Sequence, residues 1–252
     1  MKRITFFMML ALSMFSLSSF AQRRELKTED DGFKWYLNTA SDRTRSVEDV
    51  NGNVLIPFSR GYDFIVYHSK TKLGGYFTVR IKDKAGACDL KGNEVIPPIY
   101  DAVYLLEKEM IGGYYSIKLN NKEGACDING NIIIEPKYDD VTLIIKDDIV
   151  GYFSVELDGK EGVCDIKGRE IIAPKKYDEV CYHSRRNAVG YFGVEKKGKE
   201  GACDFSGKEV VPCKYKSLIY STSSDCFSYE DEKNDKWVDL NVRLDKDGLL
   251  VK

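Results

Sequence analysis

The chain has 252 residues, with 38 Lys and Arg against 40 Asp and Glu and a formal net charge of −2. With both signs interspersed, this balance argues against a nucleic acid or an anionic membrane recognised through net charge. A content of 21 Gly and 16 Tyr against 6 Pro fits a turn-rich β protein rather than a disordered one.

Met1-Lys2-Arg3 is basic, Ile4 to Leu17 is an apolar run, and Ser18-Ser19-Phe20-Ala21 ends it with the small residues a signal peptidase reads. The order predicts a signal peptide over residues 1–21, cleavage before Gln22, and export to a periplasmic or extracellular location. The run is shorter than the roughly 20 apolar residues a membrane-spanning helix needs, so no transmembrane segment is predicted. The first cysteine is Cys88, too far downstream for a lipoprotein anchor. Residues 22–45 are polar around one aromatic island, Phe33 to Tyr36, and read as an N-terminal cap or partial repeat. Residues 46–252 read as one β-repeat domain.

Three landmarks recur in register. Gly-Tyr opens each unit at Gly75-Tyr76, Gly113-Tyr114, Gly151-Tyr152 and Gly190-Tyr191, in steps of 38, 38 and 39 residues. Gly-x-Cys-Asp follows at Gly86, Gly124, Gly162 and Gly201 with the same steps. An apolar run ending in Pro and then Tyr is the third, as in Ile133-Ile134-Glu135-Pro136-Lys137-Tyr138-Asp139. Partial units flank these four: Asp49 to Pro57 before them, and Asp245 to Val251 after them. Periods of this size mean solenoids, propellers or arrays.

The frame Gly-Lys-x-Gly-x-x-Asp-x-x-Gly-x-x-Ile-x-Pro-x-Tyr-Asp resembles the WG-repeat (KWG-repeat) family of bacterial proteins, over about residues 46 to 216. The Trp expected before the Gly is Ala85, Glu123, Glu161 and Glu200 here, so the chain resembles a divergent member. The resemblance implies an all-β fold and an exported or surface context.

Within a unit the period is two. Phe153, Val155 and Leu157 fall on one face of a strand, and Tyr152, Ser154 and Glu156 on the other. A two-residue turn follows, whose second position is Asp83, Asn121, Gly159 or Gly198, residues that tolerate positive φ. The returning strand carries the Cys, Asp-x-x-Gly makes a second tight turn, and a third strand is predicted to end at the Pro, which cannot donate to a ladder. The segment after Tyr-Asp supplies a fourth strand. The fold class is therefore all-β: tandem β-meander repeats of about 38 residues in an open curved array, with a five-bladed β-propeller as the alternative.

Few residues could carry chemistry. Four of seven cysteines, Cys88, Cys126, Cys164 and Cys203, share one repeat position and read as small buried hydrophobes that stay reduced. No C-x-x-C supports a redox or zinc site, and the Asp-x-x-Gly turns do not supply a calcium loop's ligands, so no metal or cofactor is predicted. Tyr67-His68 and Tyr182-His183 occupy equivalent positions in two units and are the candidate ligand contacts. No phosphate loop, G-x-S-x-G or H-E-x-x-H is present, so no catalytic residue is assigned and the chain is read as not an enzyme. The reading is an exported, non-catalytic binding module for a protein or glycan. An enzyme with a loop-built site, using the histidines with Asp63 or Asp178, and a structural envelope component are the competing classes.

Overall fold

The computed structural model describes residues 23–71, 74–108, 112–146, 150–186, 188–231 and 233–251. The predicted signal peptide lies outside the described residues. The chain divides into two compact units, Met1–Ile99 and Tyr100–Lys252.

Two sheets arise from the first part of the chain. One runs β1 (Arg23–Thr28), β2 (Lys34–Thr39), β3 (Arg45–Asp49), β4 (Val54–Ile56). The next runs β5 (Phe64–Thr71), β6 (Gly74–Ile81), β7 (Lys84–Cys88), β8 (Glu94–Tyr100). The second unit continues with β9 (Ala102–Lys108), β10 (Gly112–Leu119), β11 (Lys122–Asp127) and β12 (Ile132–Tyr138). A fourth sheet holds β13 (Asp140–Lys146), β14 (Val150–Leu157), β15 (Lys160–Asp165) and β16 (Glu170–Tyr177). The fifth holds β17 (Glu179–Arg185), β18 (Ala188–Lys196), β19 (Lys199–Cys203) and β20 (Glu209–Tyr215). The sixth has three strands, β21 (Leu218–Ser221), β22 (Cys226–Asp231) and β23 (Lys236–Asp239). Among the described residues every sheet is an antiparallel meander in chain order, and none closes into a barrel. The all-β tandem architecture read from the repeat is the one the chain adopts, with six sheets among the described residues rather than five blades. Among those residues no helix is long and apolar enough to cross a membrane.

The local chemistry of the turns explains the repeat. At the first hairpin turn the left-handed residues are Asn120-Asn121, Asp158-Gly159 and Lys197-Gly198, and in the Lys82-Asp83 turn it is Lys82 with φ 58°. The Asp of each Tyr-Asp pair caps that turn: Asp63, Asp101, Asp139 and Asp178 accept the N–H of Lys82, Asn120, Asp158 and Lys197 at 2.6–2.8 Å. In Asp-x-x-Gly the Asp carboxylate accepts two backbone N–H groups, as Asp127 does from Asn129 at 2.8 Å and Asn131 at 2.9 Å. The same motif forms at Asp49 and at Asp245.

The third strand does not end at the Pro. β12 and β16 run through Pro136 and Pro174 to the following Tyr, because these are edge strands and a register shift falls where the missing N–H would matter. That shift also fixes the Gly of Gly-x-Cys-Asp. A Cβ on Gly124 would stand 2.3 Å from the Ile134 carbonyl oxygen, and one on Gly162 would stand 2.4 Å from that of Ile172.

In the second unit the fourth sheet is apolar on both faces. Phe153, Val155 and Cys164, with Val141 and Leu143 beside them on β13, pack against Tyr114, Ile134 and Tyr138 of the third sheet. From the other face of the same sheet, Tyr152, Val163 and Ile172 pack with Val180, Tyr182 and Phe192. In the first unit, Trp35, Val47 and Ile56 pack against Tyr67, Phe77, Val79 and Cys88. The chain ends in a hook on the fifth sheet, where Val189 and Phe205 donate to the carbonyls of Lys246 and Gly248 at 2.9 and 2.8 Å.

Candidate functional site

Two recurring arrangements concentrate the polar chemistry. The first joins successive sheets. Tyr138, at the end of β12, donates to Glu170 at 2.7 Å and lies 3.8 Å from the Cys164 sulfur. Tyr177 repeats this with Glu209 at 2.7 Å and Cys203 at 3.5 Å, and Tyr62 with Glu94 and Cys88. Ile132 stands where the third sheet would carry the Glu.

Burial, reinforced by the carboxylate or by Cys203, raises all three phenols, so they donate and do not act as bases. Glu170 is held below the usual carboxylate range by the Tyr138 and Lys137 bonds. Burial pushes the thiols up, to about 11 for Cys88 and Cys203 and about 12 for Cys126; Cys164 is raised too. All four are unpaired by disulfides and buried. This is a clasp made of neutral donors, with no activated nucleophile in it.

A thiolate forms only as pH rises through these raised values. Native protein at pH 8 should therefore leave the four-cysteine row unlabelled by a thiol reagent, while denatured protein labels fully. Rapid native labelling at Cys126 would show that the row is not the buried packing it forms here.

The second arrangement contains the predicted contact residues, and the structure separates them by face. Tyr67 and Tyr182 are buried. Tyr67 stacks on Phe33 at 4.8 Å and donates to Asp31 at 2.7 Å, while the Tyr182 hydroxyl accepts the Gly190 N–H at 2.9 Å. The histidines lie on the opposite face, as adjacent strand positions must. His68 is half-buried and stacks on Tyr76 at 4.6 Å and 10°. Its Nε2 is 2.9 Å from the Thr78 hydroxyl, and burial lowers its pKa. His183 is exposed and stacks on Tyr191 at 5.0 Å and 17°. At the position of Thr78 the fifth sheet has Gly193, where a Cβ would stand 2.5 Å from His183 Nε2. That glycine leaves room for the imidazole ring.

His183 opens onto a cleft of about 240 Å³ lined also by Glu179, Cys181, Tyr191, Glu195, Glu200 and Leu218. Glu179, Glu195 and Glu200 are direct cross-strand partners over three strands. Like charges placed opposite one another are destabilising. Glu200 relieves part of this by accepting the Leu218 N–H at 2.6 Å, and Glu179 accepts from the Cys181 thiol at 3.2 Å. The fourth sheet carries the corresponding row Asp140, Glu156 and Glu161, whereas the second sheet has Phe64, Arg80 and Ala85 there. Sequence reasoning found His183 but missed its acidic neighbours. Their signal was the alternation Glu179, Cys181, His183 on β17, and the partner strand's Glu195 became readable only with the register.

Among the described residues, no group of three or more His, Cys, Asp or Glu is placed to hold a metal ion. The cleft combines carboxylate acceptors with an exposed ring. That set suits ligands with amine or hydroxyl donors.

Comparison with known proteins gives matches to one repeat model and to none of the curated proteins. Among solved structures, the chain is similar to a complex of BBS1N with ARL6DN soaked with mercury, at 11% identity and a TM-score of 0.30, covering 90% of this chain and 80% of that one. It is also similar to a puromycin hydrolase mutant complexed with PGG, at 9% identity and a TM-score of 0.27, covering 86% of this chain and 44% of that one. The family model for the WG containing repeat matches residues 86–122 and 124–160. The second match begins inside β11 and ends on the first residue of β15, so one repeat completes one sheet and begins the next. The chain thus carries two tandem matches to the WG containing repeat, in step with its sheets.

Proposed function

We propose that this protein is an exported repeat protein that serves as a non-catalytic binding module for a protein or glycan, through the fifth-sheet cleft. The observation that carries the reading is the exposed His183 ring lying flat on Tyr191 beside the Glu179, Glu195 and Glu200 row. A stacked ring offers a face to a sugar or an amine-bearing side chain, and carboxylates accept from hydroxyl and ammonium donors. The buried phenols and thiols offer no competing reactive group. Export rests on the basic, apolar and small-residue order of the first 21 residues.

The test uses exported protein whose intact mass begins at Gln22, screened on immobilised glycans and peptides. A ligand that is retained unchanged should bind roughly tenfold more weakly to Glu195→Gln and to His183→Ala, each losing one directed contact. Conversion of the ligand, or equal binding by both variants, would overturn the reading, as would an exported mass that retains Met1.

A further inference from the structure

The side chains of Arg24, Arg60, Arg169 and Arg185 are engaged. Arg24 bonds Glu48 at 3.0 Å, Arg60 reaches Glu94 at 3.5 Å and Arg169 bonds Asp165 at 2.6 Å. Arg185 donates to the carbonyls of Leu244 and Asp245. Arg45 and Arg80 depart from this pattern. Both are half-buried, and the Nε of each is buried with no hydrogen-bond partner among the described residues.

The two guanidinium groups converge on one ring, their Cζ atoms 5.5 and 5.7 Å from the centre of Phe64. Local structure places them there. Phe64 and Arg80 are cross-strand partners on β5 and β6, and the Arg45 N–H donates to the Tyr62 carbonyl at 2.7 Å, bringing the start of β3 to the start of β5. The carboxylate next to Phe64 in sequence, Asp63, caps Lys82 at 2.8 Å, and Glu94 takes the hydroxyl of Tyr62 together with Arg60.

Two like charges gathered on one apolar ring, with no ion pair to either among the described residues, repel each other and lose hydration, which costs stability in isolation. An oxyanion relieves both penalties, and the planar fork of a guanidinium matches carboxylate and phosphate geometry. Phe64, 39% exposed, adds an apolar wall for the remainder of a ligand.

We propose that Arg45, Arg80 and Phe64 form a binding site for the carboxylate or phosphate group of a small anionic ligand. The site lies wholly within the first unit and does not depend on the fifth-sheet cleft.

The test is calorimetric titration of the whole mature chain with benzoate and with inorganic phosphate, against chloride at matched ionic strength. Saturable binding of at least one anion is expected, weakened roughly tenfold by Arg45→Gln and by Arg80→Gln, each of which removes a charge-assisted contact. Arg80→Lys keeps the charge but not the fork and should also weaken it. Preference for benzoate, lost in Phe64→Ala, assigns a carboxylate ligand; preference for phosphate assigns a phosphorylated one. No saturable binding of either anion would overturn the proposal, as would Gln variants that bind like the wild type. Should a Gln variant fail to fold, the wild-type titration and Arg80→Lys decide.

Discussion

Phe153→Ala should lower the stability of the second unit by about 3–5 kcal/mol, the largest single loss expected from a side chain on β14. Phe153 is fully buried and meets Tyr114 edge-on at 5.3 Å. It sits among Tyr138, Leu143 and Cys164. Truncation leaves a ring-sized void between two sheets, and the flanking strands are held in register by their own ladders, so little collapse can fill it. Glu156→Ala on the other face should cost under about 0.5 kcal/mol. It removes one carboxylate from the row Asp140, Glu156 and Glu161, and relief of like-charge repulsion offsets lost contacts. Urea titrations give both values. Equal midpoints for the two variants would mean that the strand faces are assigned wrongly.

Gly162→Ala should be at least as damaging, with a loss above about 3 kcal/mol. The added Cβ would stand 2.4 Å from the Ile172 oxygen and 2.7 Å from the Pro174 nitrogen. Both are backbone atoms of the shifted segment of β16 and cannot swing aside as a side chain could. Gly159→Ala is the control. Its φ of +69° strains an alanine by roughly 1–2 kcal/mol, yet nothing lies within 4 Å of the new carbon. Thermal melts followed by circular dichroism should rank Gly162→Ala well below Gly159→Ala. The reverse order would show that the edge strand does not cross the Gly at close range.

The sequence reported the features whose causes are local. Period-two alternation, left-handed turn residues and Asp-x-x-Gly capping each depend on residues a few positions apart, so they repeat visibly every 38 or 39 residues. The continuation of β12 and β16 through their prolines was not visible, because an edge strand tolerates a missing donor and edge status is a property of the sheet. The Tyr–Glu–Cys clasp was present as constant separations, Tyr to Cys of 26 and Tyr to Glu of 32 residues. Nothing in those intervals says that the side chains touch. Tyr67 and His68 were read as one contact pair, but neighbours on a strand face opposite ways, and only packing tells which face is covered.

The amino-acid sequence by itself determined that this chain folds as tandem β-meanders, since hairpins and Asx turns are set by backbone preferences within each repeat. Only the tertiary structure decided that Tyr182 is core while His183 is surface, that three glutamates stand side by side across β17, β18 and β19, and that Arg45 and Arg80 meet over Phe64. Those outcomes follow from strand register and from which sheet covers which face, and both are fixed by packing between residues far apart in the chain.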